Sequence, residues 1–284
     1  MAIDKNGKAW AWGLNTSGQL GDNTLVSKRT PIAVGGTAKT FCKISSGLSH
    51  TLAVDYKGKV WAWGLNTTLQ LGINVPMSRL TPVAINGAAK TFSQIAAGFG
   101  QTSTGYNSFG FDKNGKAWAW GSDTSGSLGD NDATLTSKST PIAVAGAAKT
   151  FCRISGGNNY AIAIDKNGKA WSWGDNTNGK LGDNSITARS TPVAIAGAAK
   201  TFCRVTAGIN TTVAIDKNGK AWAWGLNTSG QLGDNTAINK STPVAIAGAA
   251  KTFCKISTGG FHTIAIDKNG KLWGWGLSDQ GQLG

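Results

Sequence analysis

Apolar and polar positions along this chain come in short runs, and most of the runs alternate. Within residues 151–202, Phe151-Cys152-Arg153-Ile154-Ser155, Tyr160-Ala161-Ile162-Ala163-Ile164 and Ala170-Trp171-Ser172-Trp173 read as three successive strands. In the third, both tryptophans fall on one face of the strand and the small residues on the other. Lys166-Asn167-Gly168-Lys169 separates the second run from the third, and its Asn-Gly step predicts a hairpin through a type I′ turn, with positive φ at both central residues. A polar loop over 175–182 leads to Pro192-Val193-Ala194-Ile195, a short fourth strand with proline at its start. No long amphipathic helix fits anywhere in this pattern.

The pattern recurs. Asp-Lys-Asn-Gly-Lys-Ala-Trp-Ala-Trp-Gly begins at Asp4, and close copies begin at Asp55, Asp112, Asp165, Asp216 and Asp267, mostly 51 residues apart. Four short strands at this period imply a blade, and a tandem of them a propeller. The expected fold is therefore all-β: a β-propeller of six blades of four antiparallel strands, forming a single domain over residues 1–284. The repeat inventory makes the first and last blades incomplete. Six hairpins are accompanied by only five Phe-Cys/Ser strands (from Phe41, Phe92, Phe151, Phe202 and Phe253) and five proline strands (at Pro31, Pro82, Pro141, Pro192 and Pro243). Unfinished blades leave free strand edges, so self-association through the end blades is an expected partner mode.

Trp-Gly-Leu-Asn-Thr-Ser-Gly-Gln-Leu-Gly at 12–21 and 224–233, the Thr-Pro-Val pieces, and Gly-x-x-His-Thr at 47–51 and 259–263 resemble the signature of the regulator of chromosome condensation repeats. The resemblance covers essentially the whole chain. It implies a circular propeller, usually of seven blades, acting as a binding surface for a small GTPase, chromatin or, in a bacterial inhibitor, an enzyme. The near-identity of the copies fits recent duplication, as in bacterial or phage members. Light absorption, as in a plant member, is not expected, because no arginine flanks these tryptophans.

Composition narrows the chemistry. The chain carries 28 Lys and Arg against 14 acidic residues, a formal charge of +14. That balance favours solubility and allows contact with a polyanion. Because most lysines sit in the hairpins or in Ala-Ala-Lys-Thr (Lys90, Lys149, Lys200, Lys251), rings of spaced charge are expected rather than one dense patch. Cys42, Cys152, Cys203 and Cys254 share one repeat position, which places them about a blade apart, too far for bridging. They are expected to be small, buried, free thiols. His50 and His262 occupy one repeat position and match the family's structural histidine. Neither a nucleophilic triad nor a carboxylate dyad is evident, and Asp-Lys-Asn-Gly lacks the further ligands of a calcium loop. Enzymatic activity, cofactors and metals are accordingly not expected. No apolar run long enough to span a bilayer as a helix and no signal peptide is visible, so membrane insertion is not expected and a cytoplasmic or virion-associated location is favoured.

Function should reside where the repeat symmetry breaks. The third repeat carries six extra residues within 98–109, supplying Phe99, Gln101, Tyr106 and Phe109. In the second, Leu69 replaces a glycine, and Ile73-Asn74-Val75-Pro76-Met77 replaces the Asp-Asn loop. Phe99, Gln101, Tyr106, Phe109, Leu69 and Met77 are the candidate partner-binding residues. The expected function is a non-enzymatic scaffold that binds a protein through its loop face. The alternatives are a multivalent glycan-binding module, a guanine-nucleotide exchange factor for a small GTPase, and a structural assembly component.

Overall fold

A computed structural model describes residues 1–36, 39–87, 91–100, 106–146, 150–197, 200–248 and 252–284. Six antiparallel sheets follow one another as the six blades of a propeller. The middle four have four strands, and the first and last have three. In the fourth blade the strands are Phe151–Gly156, Tyr160–Asp165, Ala170–Gly174 and Arg189–Ala194, paired in sequence order. The Phe-Cys strands of successive blades contact one another, so they are innermost, and the proline strands form the rim. The first blade lacks the innermost strand and the last lacks the rim strand.

Each hairpin is built around its aspartate. Asp165 N–H bonds to the Lys169 carbonyl, and Gly168 N–H bonds to the Asp165 carbonyl. The Asp165 Oδ1 accepts the Asn167 and Lys169 amides, and Oδ2 accepts the Trp171 Nε1–H at 2.9 Å. Only Gly168, not Asn167, has positive φ. The turn is therefore not type I′. It is a three-residue loop ending in a left-handed glycine, because the aspartate side chain captures two turn amides and holds the asparagine in right-handed space.

Two other expectations are corrected. The cysteines are free but exposed. A bulge at the start of each Phe-Cys strand sets two residues against one on its neighbour, as between Phe151 and Arg153. The phenylalanine thus enters the core while cysteine and the following base both face outward. The thiols donate to carbonyls of the adjacent strand, for example Cys152 Sγ to Asp165 O at 3.4 Å. The rim strand starts three residues earlier than expected and takes Pro192 inside it. An edge strand tolerates this, since the lost donor lies beside a register shift.

The two tryptophans of each Trp-x-Trp pair have different tasks. The first locks its own hairpin. The second lies under the Gln-Leu-Gly turn of the preceding blade. A side chain added at Gly182 would meet the Trp224 indole nitrogen at 2.6 Å, and the same holds at Gly21 against Trp63. Trp63 Nε1 donates to the Gln19 carbonyl at 3.0 Å, and Thr51 Oγ1 donates to the same oxygen at 3.0 Å. Lys180 O receives Trp224 and Thr212 in the same way, and Gln231 O receives Trp275 and Thr263. The phenylalanine of the same blade's inner strand packs on this tryptophan, with centroids 6.1–6.4 Å apart. Further out, left-handed asparagines (Asn23, Asn74, Asn131, Asn184) donate their N–H to the rim strand of the following blade.

A buried asparagine organises the loop beyond each third strand. Asn176 Oδ1 accepts the Leu181 amide, and its Nδ2 donates to Asp183 Oδ1, Ser185 O and Thr187 O. Asn15 and Asn227 repeat this arrangement. The third blade has Asp123 instead, fully buried. Its Oδ1 still accepts Leu128 N–H, but Oδ2 stands where the amide donor should be and has no partner. Burial pushes this carboxyl up to about 6, with the Asp130 charge adding to the rise.

Two outcomes follow. Gly182→Ala, at φ +75° and under Trp224, should cost roughly 2–4 kcal/mol in urea unfolding; a loss below the experimental error would break this account of the seam. Asp123 is held protonated relative to the unfolded chain, so its stabilising contribution is present below its ordinary pKa and disappears as pH rises through about 6. Asp123→Asn should raise the melting temperature by about 2–4 °C at alkaline pH and by less in mild acid. An unchanged or lower value in alkali would contradict it.

Candidate functional site

Antiparallel blades give the propeller two unlike ends. At one are the six hairpins, five reading Asp-Lys-Asn-Gly and the second Asp55-Tyr56-Lys57-Gly58. At the other are the inner Gly-x-x loops, the Gln-Leu-Gly turns and the outer Asp-Asn loops, as the pairing of His50 with Gly64 and of Gly64 with Arg79 establishes. Exposed large apolar side chains gather at this loop end. Leu25, Val26, Val75, Met77, Leu135, Ile186 and Ile238 in the outer loops are 41–75% exposed. One or two such knobs therefore stand on the outer loop of each of the first five blades. Around the central axis the inner loops add Leu48, Phe99 and Phe261. Leu48, Phe99 and Ile209 line one cavity of ≈ 240 Å³ there.

Charge at the loop end is internally neutralised. The described ion pairs all lie here: Lys28–Asp22, Lys138–Asp130, Lys138–Asp132, Lys180–Asp175, Arg189–Asp183 and Lys240–Asp234. Burial pushes the Asp22 carboxyl up, but hydrogen bonds from Thr24 and Asn15 outweigh it and hold the group below its ordinary range. Lys180 is fully buried at a position where four sister blades have glutamine. Its Nζ bonds to Asp175 Oδ2 at 2.6 Å, Asn210 Oδ1 at 3.0 Å and Asn158 O at 3.2 Å, and lies 5.1 Å from the Tyr160 ring centroid. Burial lowers its pKa and the Asp175 carboxylate opposes that shift. This fully satisfied ammonium ties the fourth blade to the fifth. Loss of the repeat glutamine was its only trace in the sequence.

The candidate partner-binding residues divide. Phe99 is an exposed wall of the axial cavity, and Met77 is an exposed outer-loop knob; they share the loop end but not a cavity. Gln101 lies outside the described residues. Leu69 is half-buried at φ +66°, in a left-handed position where its sisters have glycine. Tyr106 and Phe109 are corrected: neither is a surface anchor. Tyr106 is buried edge-on against His50, 6.4 Å between centroids, and Phe109 is fully buried against Trp173 at 6.2 Å. Phe109 lies in the strand register that resumes after the insertion, and Tyr106 immediately precedes it, its carbonyl accepting the Ser122 amide, so both rings belong to the blade. His50 is likewise structural, with Nε2 3.0 Å from Ser108 Oγ, and burial pushes its pKa down to about 4. Apart from Val75 and Met77, the outer-loop knobs keep the repeat symmetry, so departures from that symmetry do not point to them. The recurring signal is one or two apolar residues two to four positions after each Asp-Asn.

Sequence and structure comparisons agree with this geometry. The regulator of chromosome condensation (RCC1) repeat matches residues 6–54, 57–103, 167–215 and 218–266. The ultraviolet-B receptor UVR8 of Arabidopsis thaliana is 26% identical over 289 residues, covering all of this chain and 64% of the receptor. The mitochondrial RCC1 domain-containing protein RUG3 of the same plant is 28% identical, with the same coverage. The chain thus spans somewhat under two-thirds of the length of these curated relatives. Among solved structures, Prp20p of Saccharomyces cerevisiae superposes with a TM-score of 0.80 at 22% identity, covering 98% of this chain and 67% of that one. Human WBSCR16 gives 0.80 at 19%, covering 93% and 68%. Hairpin locks, tryptophan seams and matched repeats converge on one conclusion: the chain belongs to the regulator of chromosome condensation (RCC1) repeat family.

Proposed function

We propose that this propeller is a non-enzymatic scaffold that holds a protein partner on its loop end. The observation that carries the reading is the gathering of exposed apolar side chains there, on a face whose described bases are largely paired with acids. An interface core is poor in net charge and rich in large apolar groups, and this face has that composition. Relatives lend support. Yeast Prp20 has been crystallised with Kap60, and Prp20p has been studied for binding to Gsp1p and histones. Such partners are protein surfaces, and this chain presents a comparable fold to them. A nucleotide-exchange role on a small GTPase and a glycan-binding role are weaker readings, since no single residue set here favours either.

The test is affinity capture with the wild-type chain, an Ile186→Asp/Ile238→Asp variant and a Lys57→Gln/Lys166→Gln variant. Bound proteins would be quantified by mass spectrometry. A partner retained by the wild type and the lysine variant but reduced at least tenfold by the isoleucine variant, about 1.4 kcal/mol, is the expected result. Retention unaffected by the two aspartates would overturn the reading.

A further inference from the structure

Charge divides between the two ends of the propeller. Each of the six hairpins carries two lysines and one aspartate, and four inner strands add a base directly after the cysteine: Lys43, Arg153, Arg204 and Lys255. These account for sixteen bases against six acids, while the loop end holds eight acids and seven bases. Lys90, Lys149 and Lys251 lie outside the described residues. Three of the eight loop-end acids, Asp123, Asp130 and Asp132, belong to one loop of the third blade.

The sister loops show what this place normally holds. In the first, fourth and fifth blades it is the amide nitrogen of a buried asparagine, enclosed by oxygens. Asn176 Nδ2 donates to Asp183 Oδ1 at 3.0 Å and to Ser185 O, Ser185 Oγ and Thr187 O at 3.1 Å each. Around Asn15 and Asn227 the same four kinds of oxygen lie at 2.9–3.4 Å. A carboxylate, two carbonyls and a hydroxyl thus converge on one donor.

The third blade keeps the frame of this cage. Asp123 Oδ1 accepts the Leu128 amide at 2.8 Å, as Asn176 Oδ1 accepts that of Leu181 at 2.9 Å. Asp130 Oδ1 accepts the Asp132 amide at 3.0 Å, as Asp183 Oδ1 accepts that of Ser185 at 3.1 Å. Asn131 is left-handed and donates its N–H to Ser190 O on the next rim strand, as Asn184 donates to Ser241 O. In this shared frame the second side-chain atom of residue 123 faces Asp130. It is now an oxygen, fully buried and without a hydrogen-bond partner. The nearby base does not compensate. Arg189 stands 2.8 Å from Asp183, whereas Lys138 stands 3.9 Å from Asp130 and is drawn to the additional acid, Asp132, at 2.6 Å.

A buried charge is paired, hydrogen-bonded or bound to a metal. We propose that the outer loop of the third blade binds a calcium ion, held by Asp123 and Asp130 together with backbone carbonyl and hydroxyl oxygens of the loop. Calcium accepts carboxylate and carbonyl oxygens in irregular sets of about six to eight, and magnesium demands a stricter octahedron. Among the described residues no three acidic, histidine or cysteine side chains converge as a ready ligand set. Two carboxylates therefore anchor the ion, backbone and hydroxyl oxygens complete its shell, and Asp132 strengthens the local negative field. The same loop presents Leu135, exposed and left-handed at φ +52°. The ion thereby braces one of the apolar side chains of the loop end.

The experiment is calorimetric titration of the full chain with calcium chloride, after removal of metal with EDTA, in mildly alkaline buffer with about 150 mM sodium chloride. One ion per chain should bind, with a dissociation constant of about 1 mM or tighter. At about 100 times that constant, calcium should raise the melting temperature by roughly 5–10 °C. Asp123→Asn restores the amide of the sister loops. In chelator it should melt above the wild type, showing that it is folded, yet its calcium affinity should fall by about tenfold or more. Asp130→Asn should lose affinity likewise. Asp279→Asn, which removes an exposed loop-end acid elsewhere, should bind within about twofold of the wild type. Absence of both heat and melting shift in the wild type would overturn the proposal. So would wild-type affinity in Asp123→Asn, or an equal loss in Asp279→Asn. Neither measurement involves a partner, so the outcome is independent of the capture experiment.

Discussion

The structure depends on one contact repeated between blades: an indole from one blade beneath a glycine of the blade before it, sharing a backbone carbonyl with a threonine hydroxyl. A propeller blade is a small sheet with two apolar faces and cannot bury either alone. The seam solves this with the largest apolar side chain, and the left-handed Gln-Leu-Gly turn must carry no β-carbon where the ring lies. Two bonds to a single carbonyl, as at Gln19, Lys180 and Gln231, then fix the angle between blades. The seams on either side of the third blade are less complete. Trp120 and Trp173 have no partner for their indole nitrogen. The same blade carries the insertion and the unpaired Asp123, so departures from the repeat concentrate in one place.

Once the seams take the interior, the two ends are free to diverge. Every hairpin uses its own aspartate to hold its turn and its tryptophan, which leaves twelve hairpin lysines facing solvent together. Four of the loops use an aspartate (Asp22, Asp130, Asp183 and Asp234) to pair a rim base or to meet a buried asparagine amide, which leaves apolar residues as the exposed remainder. Duplicating a single blade multiplied both surfaces in step. The resulting molecule has one cationic end and one apolar, charge-balanced end, and the proposed protein partner belongs to the second.

Much of this was legible in the chain. The period of two in each run, the Asn-Gly steps and the 51-residue recurrence led to six antiparallel blades and to the missing strands at both ends. What the sequence hid was direction. Alternation puts Trp171 and Trp173 on one face, yet it cannot say that the first stays with its hairpin and the second crosses to the neighbouring blade. The bulge that turns Cys152 outward leaves no mark on composition. Phe109 and Tyr106 seemed to be loop aromatics because the insertion had to end somewhere, and only strand pairing shows where. Charge segregation was hidden for a related reason: whether lysines form scattered rings or one surface depends on which strand ends they share.

Lysine reactivity mapped by mass spectrometry after brief treatment with an amine-specific reagent tests the central claim most directly. The account predicts that Lys57, Lys113, Lys166, Lys217 and Lys268 label quickly, while Lys180 is protected by about 100-fold or more until the protein unfolds globally, as expected for a group sealed in a blade seam. Labelling of Lys180 at the rate of the hairpin lysines would contradict the seam and the separation of ends that follows from it.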